Sequence, residues 1–248
     1  MRSCVLHENT GSGVFSLFNK VITYMETYDV VEVRFNPKNT PYKINVDNLW
    51  DVISNRNELC PTQAFHTDEY NSTYSCTHAA RWYLRENGWR ERLNKILQRV
   101  VFVPKIGEII NNEITIDLSN CIAIQHRSSE SIIREQLFQK AIPPDDFIRC
   151  CNKIDKHCPV LVACDSKKAY DEFKSSLGDR MITFQSLGWS EIGGEMHFEQ
   201  ECGIDHVQGM IAQTLALSRC KHFIHAVSNI ATAALYMNPE MTHTFLQG

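Results

Sequence analysis

The stretch Cys121-Ile122-Ala123-Ile124-Gln125-His126-Arg127-Ser128-Ser129-Glu130 reads as a short buried strand that stops at a cation, two small hydroxyls and an acid. Helical sequence follows it. In an open α/β sheet, ligands gather at the carboxyl ends of the strands. An Arg at such an end, beside the N–H groups of a helix start, is suited to a phosphate. A second stretch of this kind is Phe223-Ile224-His225-Ala226-Val227-Ser228-Asn229, followed by the helical run Ile230 to Met237. Two phosphate-competent strand ends in one half of the chain point to a nucleotide-type ligand.

The same alternation extends outward. Cys4 to His7 reads as a strand, Gly11-Ser12-Gly13 as a turn, and Val14 to Met25 as a helix with apolar residues at helical spacing. Val30 to Phe35 completes a βαβ unit. Val46 to Ile53 predicts a helix, and Asn57 to Thr77 a long polar loop of the kind that often carries function. Helices are expected over Thr77 to Asn87 and Trp89 to Val101, with Gly88 between them. Pro104 to Asn120 changes texture and marks the expected boundary, with a short helix over Ile106 to Ile114. Beyond it come a strand at Ile122 to Gln125, helices at Ser131 to Gln139 and Asp145 to Lys156, and a strand at Val160 to Ala163 ending in Asp165-Ser166. A helix at Lys167 to Leu177, a strand at Met181 to Phe184 and a Gly-rich loop at Leu187 to Asp205 follow. A helix at Val207 to Ser218, the strand Phe223 to Ala226, the helix Ile230 to Met237 and a last strand at Thr242 to Leu246 close the chain. Strands alternating with helices predict α/β architecture with parallel sheets covered on both faces.

Composition narrows the function. The chain has 248 residues and a formal charge of −4, which gives no basic footprint for nucleic acid. It lacks a run of about 18 apolar residues, so no membrane span is expected. Its N-terminus has no apolar h-region of a signal peptide. The ten cysteines are scattered without a CxxC pair, which argues against structural zinc and for buried thiols in a reducing compartment. A cytoplasmic protein is the expectation, and Asn71-Ser72-Thr73 is then an unused glycosylation pattern.

Several features occur in a telling order: the Gly turn before a long helix, the helix Trp89-Arg90-Glu91-Arg92-Leu93, the strand ending at Arg127, the strand ending at Asp165-Ser166, then Leu217-Ser218-Arg219-Cys220 and Ser228-Asn229. In this order the chain resembles GT-B glycosyltransferases of the fucosyltransferase superfamily, which includes α1,6-fucosyltransferases, rhizobial NodZ-type enzymes and protein O-fucosyltransferases. The resemblance runs through most of the chain, more convincingly after residue 115. It implies two Rossmann-like α/β/α domains facing a cleft, an acceptor-side domain over 1–115 and a nucleotide-sugar domain over 116–248, with the last helix crossing back to the first. It also implies inverting, metal-independent transfer from a nucleotide sugar, with GDP-fucose leading and a UDP-sugar such as UDP-xylose second. The acceptor would be a glycan or sugar hydroxyl. No cofactor is expected.

By that resemblance Arg127 holds the donor pyrophosphate, with Gln125 where the family has His and His126 beside it. Ser228 and Asn229 match a small-hydroxyl pair, and Asp165 with Ser166 lines the nucleotide site. Gly11 and Gly13 form the N-terminal turn. Gln213 stands where related sequences carry a guanine-reading Asp, which leaves the donor base open, because a Gln offers a mixed donor and acceptor face.

The chemistry needs a base for the acceptor hydroxyl. Asp68, Glu69, His66, Glu130 and Glu135 are candidates, with Asp68 favoured and Glu130 next. Each site residue also has a plain structural reading: Arg127 as an ion-paired strand end, Ser228-Asn229 as a helix cap, the glycines as a tight turn, Asp68 as a solvated loop acid. A catalytically inactive nucleotide-sugar or glycan binder is the alternative function, kept open by Gln125 and Gln213. A dinucleotide-dependent epimerase or dehydrogenase is disfavoured, because no third glycine follows Gly11 and Gly13 at the fingerprint spacing.

Overall fold

The computed structural model describes residues 3–7, 13–42, 44–55, 67–70, 87–128, 142–191 and 202–247. Near the N-terminus, strand β1 (Ser3–His7), helix α1 (Val14–Thr27) and strand β2 (Val30–Arg34) form the expected βαβ unit. Strand β3 (Thr67–Tyr70) joins them in a parallel sheet of order β2-β1-β3. Sequence reading made 57–77 a loop; the short polar strand β3 has little apolar alternation to announce it. The helix expected over 46–53 is a single 3-10 turn at Leu49–Val52, begun by Asn48, whose Oδ1 accepts from Trp50 N. The same Asn48 oxygen accepts from Phe35 N at 2.9 Å and its Nδ2 donates to Val33 O at 2.7 Å, which ties the turn to the end of β2.

Helices α2 (Trp89–Leu97) and α3 (Pro104–Glu113) follow. Gly88 precedes α2 with φ of 80°, a left-handed value that favours glycine. A second sheet then forms from β4 (Ile122–His126), β5 (Val160–Cys164), β6 (Met181–Ile182), β7 (His222–His225) and β8 (Thr242–Phe245). Its order is β6-β5-β4-β7-β8 and every pairing is parallel. Between these strands run α4 (Pro144–Ile154), α5 (Lys167–Leu177), α6 (Ile204–Ser218) and α7 (Asn229–Met237). The helices expected over 77–87 and 131–139 lie outside the described residues.

Side-chain alternation sends the two faces of the second sheet to different cores. Ile122, Ile124, Val160, Val162 and Ile224 pack under α4 and α5, with Phe147 and Phe173 fully buried. Ala123, Leu161, Ala163 and Phe223 face α6 and α7, and that cluster continues without a break into Phe18, Val21, Ile22 and Trp50 of the N-terminal half. One apolar core therefore joins the two sheets, rather than water alone separating them. No described helix is long and apolar enough to cross a membrane.

Helix α7 is the element that ties the halves together. It packs against α1 and α2 as well as α6. At its carboxyl end Arg90 donates to Leu235 O at 3.1 Å, Asn238 O at 2.7 Å and Met241 O at 2.8 Å. Asn94, one turn along α2, donates to Tyr236 O at 2.9 Å and Met237 O at 3.2 Å. Terminal carbonyls of a helix lack internal donors, and a cation there also complements the helix dipole. From the last turn of α7, Tyr236 donates its hydroxyl to Asn19 Oδ1 of α1 at 2.7 Å. Replacing Arg90 with Ala leaves three carbonyl partners without their charged donor and should cost about 2–3 kcal/mol in urea unfolding; a loss below about 0.5 kcal/mol would show that α7 does not depend on this contact.

Candidate functional site

The chain runs from β4 outward through β5 to β6, then returns to the other side of β4 for β7 and β8. Such a reversal opens a crevice between the carboxyl ends of the two strands that flank it, here β4 and β7, where ligands of doubly wound sheets sit. Gln125 and Arg127 come from the β4 side and Ser228 and Asn229 from the β7 side. Ser228 Oγ donates to Gln125 Oε1 at 2.9 Å and accepts from Ala231 N at 2.9 Å. One hydroxyl thus caps α7 and fixes the buried Gln125 side chain across the two strands. Arg127 is half-buried just past the end of β4, and α7 begins, with its dipole, just past the end of the neighbouring strand β7. This combination can hold an anion. Among the described residues, two buried side-chain atoms find no hydrogen-bond partner, His126 Nδ1 and Asn229 Oδ1. A buried acceptor in that condition is costly unless a donor arrives.

Asp165 closes the β5 side. Its carboxylate accepts from Ser128 N at 2.8 Å and from Ser128 Oγ at 3.4 Å, so it shapes the turn after Arg127. Ser166 caps α5 through Ala169 N at 3.2 Å. The segment after β6 returns to this edge, with Ser190 N donating to Asp165 O and Lys167 N donating to Ser190 O. It brings Trp189 onto Tyr170, ring centroids 4.0 Å apart, with Lys167 Nζ 5.1 Å from the centre of the Tyr170 ring. Sequence reading gave this aromatic pair no role; the rings meet only because β6 lies next to β5, which the local sequence does not reveal.

The other expected site residues fall elsewhere. His126 points to the opposite face, with its ring edge-on to Phe147 at 5.3 Å and Phe173 at 5.6 Å and its Nε2 3.0 Å from Ile142 O. Burial lowers its pKa to about 4, only partly offset by that carbonyl. Gln213 is the tenth residue of α6, roughly 13 Å along the axis from the end nearest the crevice at 1.5 Å per residue. Gly13 has extended backbone (φ −69°, ψ 160°) at the start of α1, a conformation open to other residues. Asp68 lies within β3 opposite Cys4, three residues short of the level of His7, which is roughly 10 Å below the strand ends. Gly11, Glu130, His66 and Glu135 lie outside the described residues. Among the described residues, no group of three His, Cys, Asp or Glu side chains is arranged to hold a metal ion.

The N-terminal sheet meets this site through α1. Asn19 Nδ2 donates to Asn229 O at 2.9 Å, while its neighbour Lys20, itself buried, donates to His7 O at 2.8 Å. The carboxyl end of β1 and the amino end of α7 are therefore both within a side chain's reach of one turn of α1.

No protein-family model matches the chain, and no curated protein matches it in sequence. Solved structures do. A structure of NodZ α-1,6-fucosyltransferase soaked with GDP-fucose superimposes with a TM-score of 0.56 at 12% identity, over 96% of this chain and 93% of that one. Fucosyltransferase NodZ from Bradyrhizobium gives 0.55 at 12% identity over the same shares, 96% and 93%. NodZ co-crystallised with GDP gives 0.52, again at 12% identity and over 96% and 93%. The chain has the GT-B-like α/β fold of these fucosyltransferases.

Two buried histidines make stability depend on pH. Burial lowers His126 to about 4 and His225 to about 3, below the ordinary value of 6.5, with the carbonyl of Ala226 partly opposing the shift at His225. Below pH 6.5 the unfolded chain takes up protons that the folded chain refuses, so stability falls as pH drops from 6.5 toward 4. Between pH 7 and pH 5 the expected loss is on the order of 2–4 kcal/mol in urea unfolding. His126→Phe should remove part of that slope; an unchanged slope would mean that His126 is not a source of it.

Proposed function

We propose that the chain is an inverting, metal-independent glycosyltransferase that takes a sugar from a nucleotide-sugar donor, GDP-fucose first and a UDP-sugar second, to a hydroxyl of a glycan or sugar acceptor. The observation that carries this reading is the switch point between β4 and β7, where Arg127 follows the end of one strand and the amino end of α7 follows the other. The NodZ structures, one soaked with GDP-fucose and one co-crystallised with GDP, support a nucleotide sugar as the ligand of such a fold.

The acceptor oxygen attacks the anomeric carbon from the face opposite the diphosphate. The bond from that carbon to the phosphate oxygen breaks as the new glycosidic bond forms. Negative charge grows on the departing diphosphate, and fixed donors aimed at it lower the barrier most. Arg127 supplies a fork of N–H groups, and the first turn of α7 supplies backbone N–H groups and its dipole. Ser228 acts on Gln125 and on the helix and so positions the site. Asp165 and Ser166 shape the nucleotide edge.

The acceptor proton passes to a carboxylate. Asp68 and Glu130 are the two candidates. Glu130 follows Arg127 by three residues in the sequence, whereas Asp68 sits below the strand ends inside β3, which favours Glu130. A second reading, an inactive nucleotide-sugar binder, draws on Gln125, whose Oε1 is engaged by Ser228 instead of being a histidine that faces the donor.

Incubated with GDP-fucose and an acceptor glycan in EDTA, the protein should release GDP, and Arg127→Ala should slow release by on the order of a hundredfold. Glu130→Gln should abolish turnover while leaving GDP binding in place. Stabilisation by GDP without any release would favour the inactive binder. Failure of GDP and UDP, each at millimolar concentration, to raise the melting temperature would contradict the proposal.

A further inference from the structure

A second cavity lies at the carboxyl ends of β1 and β2, away from Arg127. It is an open depression of about 530 Å³, within the range of small-molecule sites. His7 and Arg34, the last residues of β1 and β2, form one wall, and Asn36, Lys38, Asn39 and Asp47 form much of the rest. Among the described lining residues Val46 is the one aliphatic side chain, and polar groups make up the rest.

The lining has two properties at once. Arg34 and Lys38 bring two cations to it and Asp47 one carboxylate, with Glu32 paired to Arg34 from beside it. It is also rich in planar polar groups of the sort that match neighbouring sugar hydroxyls. Its frame is rigid. Asn48 braces the end of β2 to the 3-10 turn, Asn36 Oδ1 accepts from Lys38 N at 3.0 Å, and Phe35 meets the fully buried Trp50 edge-on at 6.4 Å. Glu32 holds Arg34 Nε at 2.6 Å and so orients a guanidinium whose side chain is 59% exposed. An oriented guanidinium favours an oxyanion, which it can meet with paired N–H groups.

We propose that this cavity binds a saccharide bearing an oxyanion, either a carboxylate or a sulfate, with Arg34 and Lys38 on the anion and the asparagines on the ring hydroxyls. The proposal rests on the glycosyltransferase reading only in making this saccharide part of the acceptor. His7 ties the cavity to the rest of the machinery, because Lys20 of α1 holds its carbonyl while Asn19 holds Asn229. An acceptor seated here would lie on the N-terminal side of the same helix that borders the donor crevice.

The test is calorimetric titration of the full chain at low salt with glucuronic acid, glucose 6-sulfate and glucose, and separately with GDP. One or both anionic sugars should bind at least tenfold more tightly than glucose, and whichever binds names the oxyanion. Arg34→Gln with Lys38→Gln should weaken that binding at least tenfold and leave GDP binding unchanged; both side chains are exposed, and Lys38→Gln alone should give a smaller loss in the same direction. Glucose binding as well as the anionic sugars, no binding of any of the three, or full affinity in the double variant would each overturn the proposal. Binding of an anionic sugar in a protein that fails to bind GDP or UDP would leave this site standing and remove the donor reading instead.

Discussion

The position of α7 depends on how its two ends are satisfied. At the carboxyl end, Arg90 and Asn94 of α2 supply donors to three carbonyls of the last turn and to those of Asn238 and Met241 just beyond it. At the amino end, Ser228 caps the helix and reaches Gln125 on the neighbouring strand. Between them, Asn19 and Tyr236 bind α1 to its flank. Most of these donors come from the N-terminal half, so the helix whose open end faces the anion crevice is held from the other half of the chain. A ligand gripped by that end is coupled through α7 to α1, and from α1 to the end of β1.

The second constraint is the alternation of side chains along β4. Ala123 and Gln125 face α6 and α7, and Ile122, Ile124 and His126 face α4 and α5. A shift of one residue would exchange the polar pair and place a histidine beside Ser228. As built, Gln125 meets the cap of α7 and His126 becomes a neutral core residue between two phenylalanines. The low pKa of His126 follows from that packing. It is a feature of the core and not of the proposed chemistry.

The order of strands and helices was largely legible in the sequence because it rests on local signals: apolar runs of strand length, helical spacing, and caps such as Ser166 and Ser228. The strand ends at Arg127, Asp165 and Ser228 were legible for the same reason. What was not legible depends on partners distant in sequence. Strand β3 is polar and exists through its pairing with β1. Arg90 was visible in its motif, yet its role as a cap for α7 requires contacts some 145 residues away. Trp189 meets Tyr170 only through the β5–β6 pairing. The depth of Gln213 follows from the direction of α6, which runs away from the crevice, and alignment by motif alone does not register that. The cavity beside β2 also joins residues of two separate segments, 34–39 and 46–48, to the end of β1.

The central claim is that one anion site is built from the end of β4 and the start of α7. Hydrogen exchange of the full chain, with and without GDP, tests it most directly. The account predicts slower exchange in peptides that cover residues 122–128 and 226–232, with little change in β8, Thr242–Phe245. Unaltered exchange in both of those peptides, with protection confined to other parts of the chain, would contradict it.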